Sequence, residues 1–122
     1  MHDVLICGTC VADILVKPVG LASAIGGGRL FHVDPIEVAT GGIVCNTGTA
    51  LSRLGMRVAA SSLVGADPWA DTIRIRLAAE GIDTAALESH AALATSTTAV
   101  LIDPSGERSF AHHVGAPAAI DL

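Results

Sequence analysis

Short apolar runs and helical-period segments succeed one another along the chain. Residues 4–7 form a continuous apolar run that starts after a charged residue and stops at Gly8, which predicts a central strand buried on both faces. Residues 43–54 change to helical spacing, with Thr47, Ala50, Leu51 and Leu54 as the expected buried stripe and Ser52 and Arg53 off its centre. Gly55 then supplies a left-handed stop. Residues 57–64 read as a second buried strand ended by Gly65. Asp67 as N-cap and Pro68 at the first helical position open a second helix over 68–80. Its apolar face is Ala70, Ile73, Leu77 and Ala78, and Gly81 closes it. Two β-α units in succession predict an α/β domain with a parallel sheet.

Between these units the pattern is looser. Residues 14–16 are β-like, and Pro18, Gly20 and the glycines at 26–28 mark a long irregular connection that holds residues 21–25. Residues 31–38 alternate loosely around Pro35 and read as an edge strand. A short strand is expected at 91–94. Residues 98–102 and 108–114 are β-prone runs joined by Asp103, Pro104, Ser105 and Gly106, which suits a type I turn and predicts a hairpin.

Composition narrows the class. The 122 residues suffice for one domain with a real core. Hydrophobic residues make up 51% but aromatic ones only 2%, so the core is aliphatic. A mean hydropathy of +0.59 implies apolar surface that expects cover, from a partner subunit or from more chain. A net charge of −5 with only 7 scattered basic residues argues against nucleic acid as a partner. No apolar run approaches the roughly 18–20 residues that span a bilayer, and the first residues lack a signal-peptide pattern, so no membrane partner and a cytoplasmic location are expected.

Several side chains are candidates for chemistry. Cys7 and Cys10 spell C-x-x-C after the first strand, which raises a thiol redox protein as one reading. The third cysteine, Cys45, makes the count odd and suits reduced thiols. A zinc site would have only Cys45, His112 and His113 to draw on, and adjacent residues on a strand face opposite ways, so no metal site is expected. Gly41 and Gly42 precede a helix N-terminus, which serves either a tight turn or the close approach of a ligand to the backbone. There is no P-loop pattern, and the glycines at 26–28 do not open a helix after a strand. Asp13 lies a few residues past the first strand's C-terminal end, where open α/β sheets bind ligands. It reads either as a loop carboxylate or as an acceptor for hydroxyls.

The order Gly41, Gly42, Asn46, Leu51, Arg53, Leu54, Gly55, followed by a strand and Gly65-Ala66-Asp67, resembles the N-terminal motif of the ribokinase-like (PfkB) carbohydrate kinases. The opening from Gly8 to Asp13, Ile82-Asp83-Thr84, Glu107 to Phe110 and Gly115-Ala116 resemble further segments of that family. The chain departs from it at Ala66, Ala70 and Pro117. The resemblance implies a Rossmann-like three-layer α/β fold with a partial parallel sheet and a β-hairpin lid, in which residues 1–122 are the N-terminal part of the kinase domain. The lid segments are expected at about 13–40 and 97–114. It also implies phosphate transfer from ATP, with Mg²⁺, to a hydroxymethyl group of a sugar or nucleoside. The substrate-binding residues would be Asp13, Gly41, Gly42 and Asn46. The family carries its catalytic base and nucleotide site in a later glycine-rich motif, which these residues do not contain, so no catalytic residue is expected here. A homodimer through the lid or an open sheet edge is a further expectation. A sugar-binding or interaction module without catalysis remains the alternative, with the thiol redox protein behind it.

Overall fold

The computed structural model describes residues 1–22 and 25–121. In chain order the elements are β1 (Val4–Cys7), β2 (Val11–Val16), β3 (Glu37–Gly41), α1 (Gly42–Arg53), β4 (Val58–Gly65), α2 (Pro68–Ala79), β5 (Asp83–His90), β6 (Thr97–Ile102) and β7 (Arg108–His113). A short 3₁₀ turn, Ala116–Ala119, follows. The expected connection at 21–25 falls partly on residues 23 and 24, outside those described.

Two sheets form. The first has the order β1-β4-β5 with both pairings parallel. Each step moves the same way across the sheet, so right-handed crossovers place α1 and α2 on one face. Val44 and Cys45 of α1 and Ala70, Ile73 and Leu77 of α2 share one apolar cluster with Ile6, Val58, Ala60, Val64, Ile82 and Leu87. The second sheet, β3-β2-β6-β7, pairs β2 with β6 in parallel and adds antiparallel strands on both sides. The expected hairpin is β6-β7, closed by Asp103, whose Oδ1 accepts from the backbone N–H groups of Ser105 and Glu107. Among the described residues no helix is long and apolar enough to cross a membrane.

Four expectations change. The strand expected at 91–94 lies upstream, at Asp83–His90, because Nδ1 of His90 accepts from the N–H groups of Ala92 and Leu93 and turns the chain there. The strand expected at 31–38 begins only at Glu37, beyond Pro35, and runs into Gly41. β1 is an edge of its sheet rather than a central strand, with Leu5 60% exposed and Ile6 buried. On α1 the buried residues are Val44, Cys45 and Gly48, with Leu51 packed against the cluster, while Thr47, Ala50 and Leu54 are exposed. Gly48 faces the cluster, where a Cβ would sit 3.4 Å from Cδ1 of Ile82 and 3.7 Å from Cδ1 of Ile6, ordinary contact distances. On α2, Ala70, Ile73 and Leu77 are buried as expected and Ala78 is exposed.

The start of α2 is tied to the segment that leads into the hairpin. Asp67 Oδ1 accepts from the N–H of Ala70, and its carboxylate also takes the N–H and hydroxyl of Thr95. Thr95 is fully buried, and its oxygen accepts in turn from the N–H of Gly65. One side chain thereby caps a helix and joins the two sheets.

Candidate functional site

Asp13 sits inside β2, the strand that lies between β3 and β6. Its register partners are Ala39 on one side and Thr98 on the other, and Thr98 is in turn the partner of His112 on β7. In-register neighbours project to the same face of a sheet, so Asp13, Thr98 and His112 form a polar row across three strands. Thr98 Oγ1 lies 2.8 Å from Nδ1 of His112. Burial pushes the Asp13 carboxyl above the usual carboxylate range, while the Thr98 hydroxyl and the nearby imidazole of His112 act in the opposite direction. His113 projects to the opposite face, as strand alternation requires.

Gly41 pairs with Val11 and so lies diagonal to Asp13. A Cβ at Gly41 would be 2.5 Å from Oδ2 of Asp13, so the missing side chain provides the space that the carboxylate fills. Gly42 has a different task. Its φ is +81°, and a Cβ there would overlap the carbonyl oxygen of Thr9. The same oxygen accepts the N–H of Val44 at 3.1 Å, which fixes the start of α1 against the end of the β1–β2 connection. No side chain caps this helix.

Asn46 is exposed on the next part of α1. It lines a cleft of about 470 Å³ together with Thr40, Thr49, Arg53, Arg76 and Glu80, and the cleft reaches β3 at Ala39. Asp13, Gly41 and Gly42 are not part of that wall. The structure thus brings Asp13 and Gly41 into direct apposition and places Asn46 on a neighbouring surface. Thr98 and His112 were missed by sequence reasoning. The hairpin prediction held the signal for them, but their register with Asp13 depends on β2 and β6 being neighbours, which no local pattern states.

The cysteines separate. Cys7 is exposed, whereas Cys10 and Cys45 are buried together in the apolar cluster. The hydrogen bond to Cys45 and burial push the Cys10 thiol far up, and the same contact lowers that of Cys45. Cys10 therefore packs with Cys45 rather than forming an activated pair with Cys7. Among the described residues no group of three or more His, Cys, Asp or Glu could hold a metal ion. Arg53 and Arg57 are each held by a carboxylate, Glu80 and Asp3 respectively.

Comparison with known proteins gives the family and the fold. The uncharacterized sugar kinase YegV of Escherichia coli (strain K12) is 31% identical over 113 residues, which are 89% of this chain and 32% of the relative. An Arabidopsis thaliana ribokinase, solved in complex with ribose and ATP, superposes with a TM-score of 0.80 at 20% identity, over 92% of this chain and 36% of that one. A fructokinase from Vibrio cholerae O395 superposes with a TM-score of 0.73 at 28% identity, over 96% of this chain and 36% of that one. The chain therefore has the ribokinase-like fold and spans about a third of the length of these proteins. Residues 1–122 match the pfkB family of carbohydrate kinases along their whole length, and the chain belongs to that family.

Proposed function

We propose that this chain is the sugar-binding and lid portion of an ATP-dependent carbohydrate kinase that transfers phosphate to a hydroxymethyl group of a sugar or nucleoside. Asp13, Gly41, Gly42 and Asn46 are its substrate side. The observation that carries this reading is the Asp13 carboxylate seated in the space left by Gly41, in a chain of this family. A half-buried carboxylate in register with Thr98 accepts hydrogen bonds from sugar hydroxyls, each charge-assisted bond contributing roughly 1.5–3 kcal/mol. Gly42 keeps the start of α1 close against Thr9, and Asn46 offers an amide from the same helix. The strands β2, β3, β6 and β7 form the lid.

Phosphoryl transfer also requires a base or orienting group and a cradle for the phosphates. In this reading both lie in the later glycine-rich motif that the family resemblance implies, and the 122-residue chain is expected to bind sugar without transferring phosphate. ATP and Mg²⁺ belong to the whole enzyme. The open edges of β1 and β7 and the exposed Phe110 on the lid suit a homodimer.

The test is sugar-dependent ADP release, measured on the chain and on a version extended through the later part of the kinase fold. The chain should be silent and the extended version active with at least one of D-ribose, D-fructose and adenosine. Release by the 122-residue chain, abolished by Asp13→Ala, would show that its own residues hold the catalytic groups. Sugar binding with no release by the extended version would make the protein a sugar-binding module.

A further inference from the structure

The polar row suits one order of protons. An ionised Asp13 only accepts hydrogen bonds, and the Thr98 hydroxyl has a single proton to give. In register between Asp13 and His112, Thr98 can give that proton to the carboxylate, which leaves its Oγ1 as an acceptor. Nδ1 of His112 lies 2.8 Å from this oxygen. In that proton order Nδ1 carries the hydrogen. In a neutral imidazole only one nitrogen is protonated, so Nε2 of His112 is left as an acceptor. Thr98 is 7% exposed and locked between its neighbours, whereas His112 is open to solvent on the same sheet face as Asp13 and Gly41.

We propose that His112 is a second hydroxyl-reading group of the substrate site: its Nε2 accepts from a hydroxyl or N–H of the ligand whose other hydroxyls Asp13 holds, with Thr98 as the positioning residue that sets the ring and its tautomer. The inference rests on the sugar-site reading of Asp13. The two acceptors stand two strands apart, about 9.5 Å at the backbone, so the ligand carries donors at separated positions rather than on one adjacent pair. A row ending in an acceptor at each end selects for ligands rich in donors and against those that present a carboxylate or phosphate to His112 in its neutral form.

The experiment is a long-range ¹H–¹⁵N spectrum of the histidine rings at a pH where they are neutral, with D-ribose, D-fructose and adenosine titrated as probes. In the free chain His112 should show the Nδ1–H tautomer, and Thr98→Val should shift it toward Nε2–H. The Nε2 resonance should move on saturation with a bound probe. His112→Phe should weaken that probe about tenfold, the loss expected for one hydrogen bond, and His112→Gln should recover part of it. If a probe binds and Asp13→Asn abolishes binding, but the Nε2 resonance stays still and His112→Phe binds equally well, His112 is not a reading group and the sugar site stands without it. An Nε2–H tautomer in the free chain overturns the proton order directly. If no probe shows Asp13-dependent binding, the sugar-site reading falls and this proposal falls with it.

Discussion

The Asp13 carboxylate occupies the place where a side chain at Gly41 would begin, 2.5 Å from the position of the missing Cβ. Gly41 has φ −136° and ψ −169°, an extended backbone open to any residue. Gly41→Ala is thus a steric change at the carboxylate and little else. It should weaken sugar binding by tenfold or more, with circular dichroism and melting close to the parent's. Gly42→Ala differs, because its φ of +81° and the Thr9 carbonyl oxygen beside it oppose any Cβ. That variant should lose about 2 kcal/mol or more of stability, read by urea unfolding. Equal losses of stability in the two variants would contradict the division of labour between the glycines.

Asp13 should cost the fold stability while it serves the ligand. Burial raises its pKa above the usual 3.8. The folded chain therefore holds the proton more tightly than the unfolded one, and the cost is absent below the unfolded pKa and fully present above the folded one. Asp13→Asn removes it. Melting at pH 7 should rise relative to the parent, and the gain should fade as the pH is lowered toward 3.8. A variant that melts lower at pH 7 would show that the carboxylate is a net stabiliser.

Asp67 behaves in the opposite sense. Burial works to raise its pKa, but the Thr95 hydroxyl and the N–H groups of Thr95 and Ala70 outweigh it and hold the carboxyl below the usual 3.8. Its contribution is present above the unfolded pKa and lost as the pH falls through the folded value. Asp67→Ala removes a helix cap and orphans the buried Thr95 hydroxyl, so it should cost roughly 2–3 kcal/mol at pH 7. The difference from the parent should shrink in acid melts. A difference that does not change with pH would mean that the charge plays no part.

One thiol of three should react in the native state. Cys7 is exposed, while Cys10 and Cys45 are buried against each other. Mass spectrometry after brief exposure to a water-soluble maleimide should find a single label, on Cys7, and all three cysteines should label in denaturant. Cys7→Ser should leave sugar binding unchanged. Rapid labelling of Cys10 would restore the redox reading of the C-x-x-C pair.

Local chemistry made the helices and the hairpin legible. Asp67-Pro68 and Gly81 bracket α2, and Asp103 to Gly106 close β6-β7, because caps and turns are written in adjacent residues. β5 was hidden, since its only buried residue is Leu87 and its polar remainder reads as loop. The face of α1 was misjudged because Gly48, which faces Ile82 and Ile6, carries no apolar signal. Of the proposed site, Asp13 and the glycine pair come from the motif. The row through Thr98 to His112 could not, because it comes from strand neighbours 85 and 14 residues apart in sequence.

Calorimetric titration of sugar into the 122-residue chain and its Asp13→Asn variant tests the central claim most directly. Asn keeps the shape of the side chain and removes the charged acceptor. The account predicts that at least one of D-ribose, D-fructose and adenosine binds the parent, and that the variant, folded and no less stable, binds it roughly tenfold to a hundredfold more weakly. Equal affinity in the two proteins would contradict it and remove Asp13 from the site.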